Sequence, residues 1–148
     1  MLKSNKIDKQ RRNIIKKIFL LLYLSNIKVV KLHPEENSYI LKGPLAGSIY
    51  YTKYKPGKWK NLINSHIPHI IKKGNLLQVV TPHEMRGYEH YITKHIVLDK
   101  KLNIISEKAF DPSKDTPTSS HNIAGYADKV FVLSICNKHD TWLNLLNL

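Results

Sequence analysis

Residues 129–136 read Lys129-Val130-Phe131-Val132-Leu133-Ser134-Ile135-Cys136. After the lysine, β-branched, aromatic and other apolar residues follow one another without a charge. Such a run suits a strand buried on both faces, in the middle of a sheet. Upstream, Tyr88–Asp99 and Leu102–Phe110 read as two strands joined at Asp99-Lys100-Lys101. Leu76–Thr81 and Ser48–Tyr54 read as further strands, and Ile27–Leu32 and Ser38–Lys42 as short β-branched runs around a turn at Pro34. Within 88–99 the period of two places Tyr91, Thr93, His95 and Val97 on one face and His90 and Ile92 on the other. Gly43–Gly47, Tyr54–Lys58 and Asp111–Ser120 are loops by their Gly, Pro and hydroxyl content.

The two ends of the chain read differently. Residues 4–24 carry an apolar stripe (Ile7, Ile14, Ile15, Ile18, Leu21, Leu22) near a 3.6 period, with no Gly or Pro, which predicts a helix. Thr141–Leu148 predicts a short terminal helix capped by Asp140 or Thr141. The expected architecture is α+β: a basic N-terminal helix packed on a mainly antiparallel sheet of about five strands, closed by a short C-terminal helix. A chain of 148 residues suits a single domain, 1–148, with residues 1–10 expected to fray.

Composition narrows the function classes. Cys136 is the sole cysteine, so there is no internal disulfide framework and no four-cysteine zinc site. The longest apolar run, Ile18–Leu24, is far short of the ~20 residues that span a bilayer. No small-x-small cleavage site follows it, so a cytoplasmic protein without a membrane span is expected. Gly-rich phosphate loops, GxSxG elbows, HExxH and EF-hand loops are absent from the sequence.

The net charge is +13, and it is segregated. Residues 1–32 carry +8, residues 33–73 carry +5, and residues 74–148 carry 0. A field of this kind attracts polyanions in a salt-dependent way. Within the basic half, Tyr50–Lys60 interleaves Lys53, Lys55, Lys58 and Lys60 with Tyr50, Tyr51, Tyr54 and Trp59. Aromatic faces stack on unpaired bases while lysines neutralise phosphate, as in single-strand binding. Arg11, Arg12, Lys16 and Lys17 of the N-terminal helix, with Lys53, Tyr54, Lys55, Lys58, Trp59 and Lys60, form the expected nucleic-acid surface.

Eight histidines supply candidate acids and bases. His95, His121 and His139 are the catalytic candidates for a metal-independent ribonuclease. Two spacings are those of metal ligands, His66-Ile67-Pro68-His69 and Cys136-Asn137-Lys138-His139. Pro68 interrupts the first, and Cys136 and His139 point to opposite faces unless the strand ends at Cys136. The sequence reading therefore assigns no metal and no cofactor.

Two segments resemble known families. Val130–Asp140 followed by Trp142 resembles the final strand of RelE/ParE-type toxins, where an apolar strand runs into a basic or histidine cluster and then an acidic and an aromatic residue. That resemblance implies a small basic α+β ribonuclease acting on messenger RNA without metal, with an acidic protein inhibitor as a partner. His95–Asp99 leading to Ala109-Phe110-Asp111-Pro112 is similar to papain-like cysteine hydrolases of the permuted, NlpC type. It implies a Cys136, His95 and Asp111 arrangement. The function expected from sequence is thus a small basic RNA- or single-stranded-DNA-binding protein, with ribonuclease activity as its extension. The alternatives are the cysteine hydrolase and a non-catalytic subunit of a ribonucleoprotein or viral assembly.

Overall fold

The computed structural model describes residues 36–148, which lie within one compact unit running from Pro34 to Leu148. A helix, α1 (Glu36–Lys42), leads through irregular chain to a 3-10 helix (Gly57–Leu62) and a single turn, α2 (Ile63–His66). Seven strands follow: β1 (His69–Lys73), β2 (Leu76–Val80), β3 (Ile92–Leu98), β4 (Ile104–Ala109), β5 (Thr118–Asn122), β6 (Lys129–Cys136) and β7 (Asp140–Asn147). They form two antiparallel sheets, ordered β1-β2-β5 and β4-β3-β6-β7.

The apolar run Lys129–Cys136 is central, between β3 and β7. Alternate residues of β6 make up its inward face. Val130 and Val132 join Leu77 and Val79 of β2, Val97 of β3 and Ile123 in one buried cluster, which fastens the sheets face to face. Further along the same face come Ser134 and then Cys136, both buried. The face thus passes from apolar core to a polar contact to a thiol within four residues.

The α+β expectation is overturned, because the described residues form a two-sheet β structure. The segment expected to be a C-terminal helix is β7. Its residues pair with β6 from Lys129↔Asn147 to Cys136↔Asp140. Trp142 and Leu143 both become buried because the edge strand is covered on both sides there. The helix expected over residues 4–24, and Ile27–Leu32, lie outside the described residues. Ser38–Lys42 belongs to α1 rather than a strand. Ser48–Tyr54 makes isolated bridges only, Ala46↔Tyr50 and Tyr51↔Trp142.

A bulge changes the facing expected for 88–99. Register shifts between Ile92 and Lys94 against β6, so Ile92 and His95 are both buried although they are three apart. Among the described residues, no helix is long and apolar enough to cross a membrane.

Leu77 is fully buried where the sheets meet. Leu77→Ala should therefore cost about 2–5 kcal/mol of stability. A urea midpoint unchanged by this substitution would contradict the two-sheet core.

Candidate metal centre

Five side chains from four separate stretches converge at one end of the two sheets. His66 ends α2. His83 follows β2 on a tight turn in which its N–H donates to Thr81 O at 2.7 Å. His90 closes a loop through Arg86 N–H donating to His90 O at 2.9 Å. Cys136 is the last residue of β6, and His139 lies in the turn to β7. One donor atom from each lies within 4.8 Å of all the others.

The contacts trace a closed figure. Nε2 of His66 is 3.0 Å from Nδ1 of His139. That atom is 3.0 Å from Nε2 of His90, which is 3.0 Å from Nε2 of His83. Cys136 Sγ lies 3.8 Å from both His83 Nε2 and His139 Nδ1. An imidazole nitrogen carries one proton or one lone pair, so it serves one partner well. Nδ1 of His139 has three close partners, and hydrogen bonds cannot satisfy them all.

Surrounding groups fix which nitrogens face the centre. Nδ1 of His66 lies 2.8 Å from Ser65 Oγ and 3.2 Å from Leu62 O. The Ser65 hydroxyl donates to Leu62 O, so both oxygens accept from His66. Nδ1–H of His83 donates to Glu84 O. These bonds hold the proton on Nδ1 and leave the Nε2 lone pairs pointing inward, as histidine metal ligands require. With Nε2 of His66 and of His83 both bare, no placement of protons on His139 and His90 turns all three 3.0 Å contacts into hydrogen bonds, whereas a cation at the centre satisfies every lone pair. Ligands at right angles on a metal, each about 2.1 Å away, would be separated by roughly 3 Å. The donor set therefore fits a transition-metal ion. Five donors exceed the four of a structural zinc site, and imidazole with thiolate suits redox-active metals such as iron or copper.

The electrostatics of the four histidines agree with ligation, whereas the Cys136 thiol needs a cation to ionise. Burial, followed by the neighbouring histidines, lowers His66 to about 4. His83, His90 and His139 are also lowered, each chiefly by burial. All four favour the neutral, ligating form. Burial raises the Cys136 thiol, against the pull of the Lys138 and His139 backbone N–H groups. Cys136 packs with Ile92, Phe110 and Met85, which keep its sulfur dry.

Three braces hold the turn that carries Cys136 and His139. The Asn137 side chain accepts from Tyr91 N–H at 3.0 Å and donates to Glu89 O at 3.1 Å, tying the turn to the His90 loop. Trp142 Nε1–H donates to His139 O at 3.0 Å. Asp140 adopts φ 63°, a left-handed conformation that Asp tolerates better than most residues. Its carboxylate accepts from Trp59 Nε1–H at 2.9 Å and pairs with Lys58 at 3.1 Å. The Trp59 ring meets His139 edge-on, with centroids 4.8 Å apart.

The residues expected from sequence are scattered. His139 is in the cluster. His95 and His121 lie elsewhere, in a buried chain of hydroxyls: His95 contacts Thr81 and Ser119, and His121 contacts Ser119 and Ser106. Cys136 faces His83 and His139, whereas Asp111 binds Ser113 and Lys114, so the expected Cys136, His95 and Asp111 arrangement does not form. Lys53, Tyr54, Lys55 and Lys60 are exposed, Lys58 is paired, and Trp59 packs against a candidate ligand. Arg11, Arg12, Lys16 and Lys17 lie outside the described residues.

Three of the five donors, His66, Cys136 and His139, stand at ligand spacing in the sequence. The strand does end at Cys136, which is the condition that lets His139 turn back toward it. His69 is exposed on β1 and takes no part. His83 and His90 were missed because neither has a ligand-spaced neighbour. Their signal is two histidines in an irregular stretch containing Pro82 and Gly87.

No protein-family model matches the sequence, and no curated protein matches it significantly. Solved structures do match. The superoxide reductase (neelaredoxin) of Ignicoccus hospitalis is 18% identical, with 69% of this chain and 95% of that chain covered at a TM-score of 0.57. A point variant of the same protein gives 0.60 over 69% and 94%. The 1Fe superoxide reductase of Giardia intestinalis is 21% identical over 57% and 99%, at 0.49. The chain shares the superoxide reductase fold. That fold and the five-donor cluster overturn the reading as a nucleic-acid-binding, toxin-like nuclease.

Two measurements check this geometry. Asn137→Ala should weaken metal binding by about 10–100-fold, since it frees the His90 loop from the Cys136 turn; wild-type affinity would refute the brace. The second is the pH dependence of the metal-free protein. His95 is lowered to about 3, mainly by burial, and His121 is lowered for the same reason. Between pH 6.5 and these folded values the unfolded chain binds more protons, so stability rises with pH and levels off above about 6.5. Acidification from pH 7.5 to 5 should lower the urea midpoint, and His95→Gln should lessen that fall, with His66 and the other lowered histidines supplying the remainder.

Proposed function

We propose that this chain is a superoxide reductase-type redox enzyme, with one iron held by His66, His83, His90, His139 and Cys136. The observation that carries the reading is the convergence of four imidazole nitrogens and one sulfur within 4.8 Å, on a fold shared with the Ignicoccus hospitalis protein. Zinc would be redox-silent, and copper–thiolate electron-transfer sites use two histidines rather than four, which favours iron.

When bound, iron supplies an exchangeable electron and a Lewis-acidic position for a small oxygen anion. The residues of the chain do the rest. Four neutral imidazoles would leave Cys136 as the sole anionic donor, and its thiolate would raise electron density at a bound iron. Ile92, Phe110 and Met85 keep that sulfur from solvent and oxidant. A cavity of about 330 Å³ opens onto the imidazoles, lined by Leu62, Ser65, His66, Pro82, His83, Glu84, His90 and His139. It has room for a diatomic anion and for water. With iron held there, a superoxide anion entering the cavity would gain one electron and two solvent protons to become hydrogen peroxide, and an external one-electron donor would be needed to restore that electron.

The test is an anaerobic assay of the iron(II)-loaded protein with superoxide. Each superoxide consumed should yield one peroxide and no dioxygen. Cys136→Ser should slow consumption by more than about tenfold, since it replaces a ligand rather than a supporting group. Dioxygen evolution alongside half the peroxide would indicate dismutation instead, and no consumption would reject the proposal.

A further inference from the structure

The second histidine system has no part in the mechanism above, yet it is the most completely buried polar structure in the described chain. Thr81, His95, Ser119, His121 and Ser134 are each at most 6% exposed. Five contacts of 2.7–2.9 Å join them to half-buried Ser106 on β4. The order is Ser106, His121, Ser119, His95, Thr81, Ser134, so the chain links β4, β5, β3, the end of β2 and β6.

Its hydrogen bonds must all run in one sense, and taking the Thr81 hydroxyl as donor sets that sense throughout. The Thr81 hydroxyl donates to Ser134 Oγ at 2.8 Å. Thr81 Oγ1 must then accept from Nε2–H of His95, 2.8 Å away. Nδ1 of His95 is left bare and accepts from the Ser119 hydroxyl at 2.8 Å. Ser119 Oγ accepts in turn from Nε2–H of His121 at 2.7 Å, and Nδ1 of His121 accepts from Ser106 at 2.9 Å. Each hydroxyl has one proton and each neutral ring one N–H, so reversing one link reverses its neighbours. Such chains polarise cooperatively, and a broken link leaves buried groups unpaired.

The inner end of the chain lies at the feet of two candidate ligands. Thr81 is two residues before His83, and its carbonyl accepts the His83 N–H that forms the tight turn. Ser134 is two residues before Cys136 on the same face of β6. One contact between the sheets, Thr81 to Ser134, therefore precedes both ligands by the same count. The ligand atoms beyond it, His83 Nε2 and Cys136 Sγ, sit 3.8 Å apart. Thr81 N–H also donates to Pro117 O at 3.0 Å, so its backbone is held from the β5 side as well.

We propose that this chain of hydroxyls and imidazoles is a positioning network for the metal centre, in which the Thr81–Ser134 contact sets His83 against Cys136. It rests on the metal-centre reading above. His95 and His121 are its positioning residues, not catalytic ones. They hold the Thr81 hydroxyl pointed at Ser134 by fixing the direction of the chain.

The test uses cobalt(II) as the probe. Metal-free protein is titrated anaerobically, affinity is taken from chelator competition, and the sulfur-to-cobalt charge-transfer band reports the Cys136 bond. Thr81→Val keeps the shape and removes the hydroxyl. It should weaken binding by about 10–100-fold and move the band, and Thr81→Ser should restore both. Ser134→Ala removes only the last acceptor and should move the band the same way. That variant decides the matter if Thr81→Val does not fold. Ring-nitrogen NMR of the metal-free protein should show Nε2–H on both His95 and His121. Variants that lose thermal stability but keep wild-type affinity and an unmoved band would reduce the network to a fastening between sheets and overturn the proposal. An Nδ1–H tautomer at either ring would overturn its direction. Failure of the wild type to take up cobalt is a separate result, which rejects the metal-centre reading itself.

Discussion

Lone pairs aimed at one point repel one another unless a cation sits among them. His66 and His83 have their protons held on the outer nitrogen by Leu62, Ser65 and Glu84, so their inner nitrogens face the centre bare. His90, His139 and Cys136 add their donor atoms to the same small volume. Without an ion this arrangement costs free energy, and the two-sheet core must hold it in place. With one, binding energy becomes folding energy, because the unfolded chain has no such site.

The fold explains how five distant residues meet. The inward face of β6 carries Val130 and Val132 in the core, Ser134 at the contact between sheets and Cys136 at the site. The same registration that buries the valines delivers the thiol. His139 follows three residues later because β6 ends at Cys136 and the chain reverses through Asn137 and Lys138 into β7. His66, His83 and His90 come from irregular chain at the rim of the sheets, where binding residues commonly sit on a rigid scaffold.

Much of the scaffold was legible in the sequence. The unbroken apolar run predicts a central strand at 129–136, and β-branched content around Asp99 predicts the β3–β4 hairpin. Local pattern failed where pairing decides. Thr141–Leu148 has the spacing of an amphipathic turn, but hydrogen bonding to β6 makes it a strand. A bulge, which no periodicity shows, places Ile92 and His95 on the buried side together. The site was half visible: spacing singled out His66, Cys136 and His139, while His83 and His90 depend on loops brought together by the sheets. The charge excess of residues 1–73 drew the reading toward polyanions. Part of it lies outside the described residues. Within the described part of that segment, Lys58 is ion-paired with Asp140. Trp59, expected to stack on bases, braces the turn through Asp140 instead.

The central claim is that His66, His83, His90, His139 and Cys136 bind a single redox-active ion together. X-ray absorption at the iron edge of the iron-loaded protein tests it most directly. The account predicts one sulfur and four imidazole nitrogens around iron, with the sulfur contribution lost in Cys136→Ser. A spectrum with no sulfur, or with four light-atom neighbours unaffected by that substitution, would contradict it.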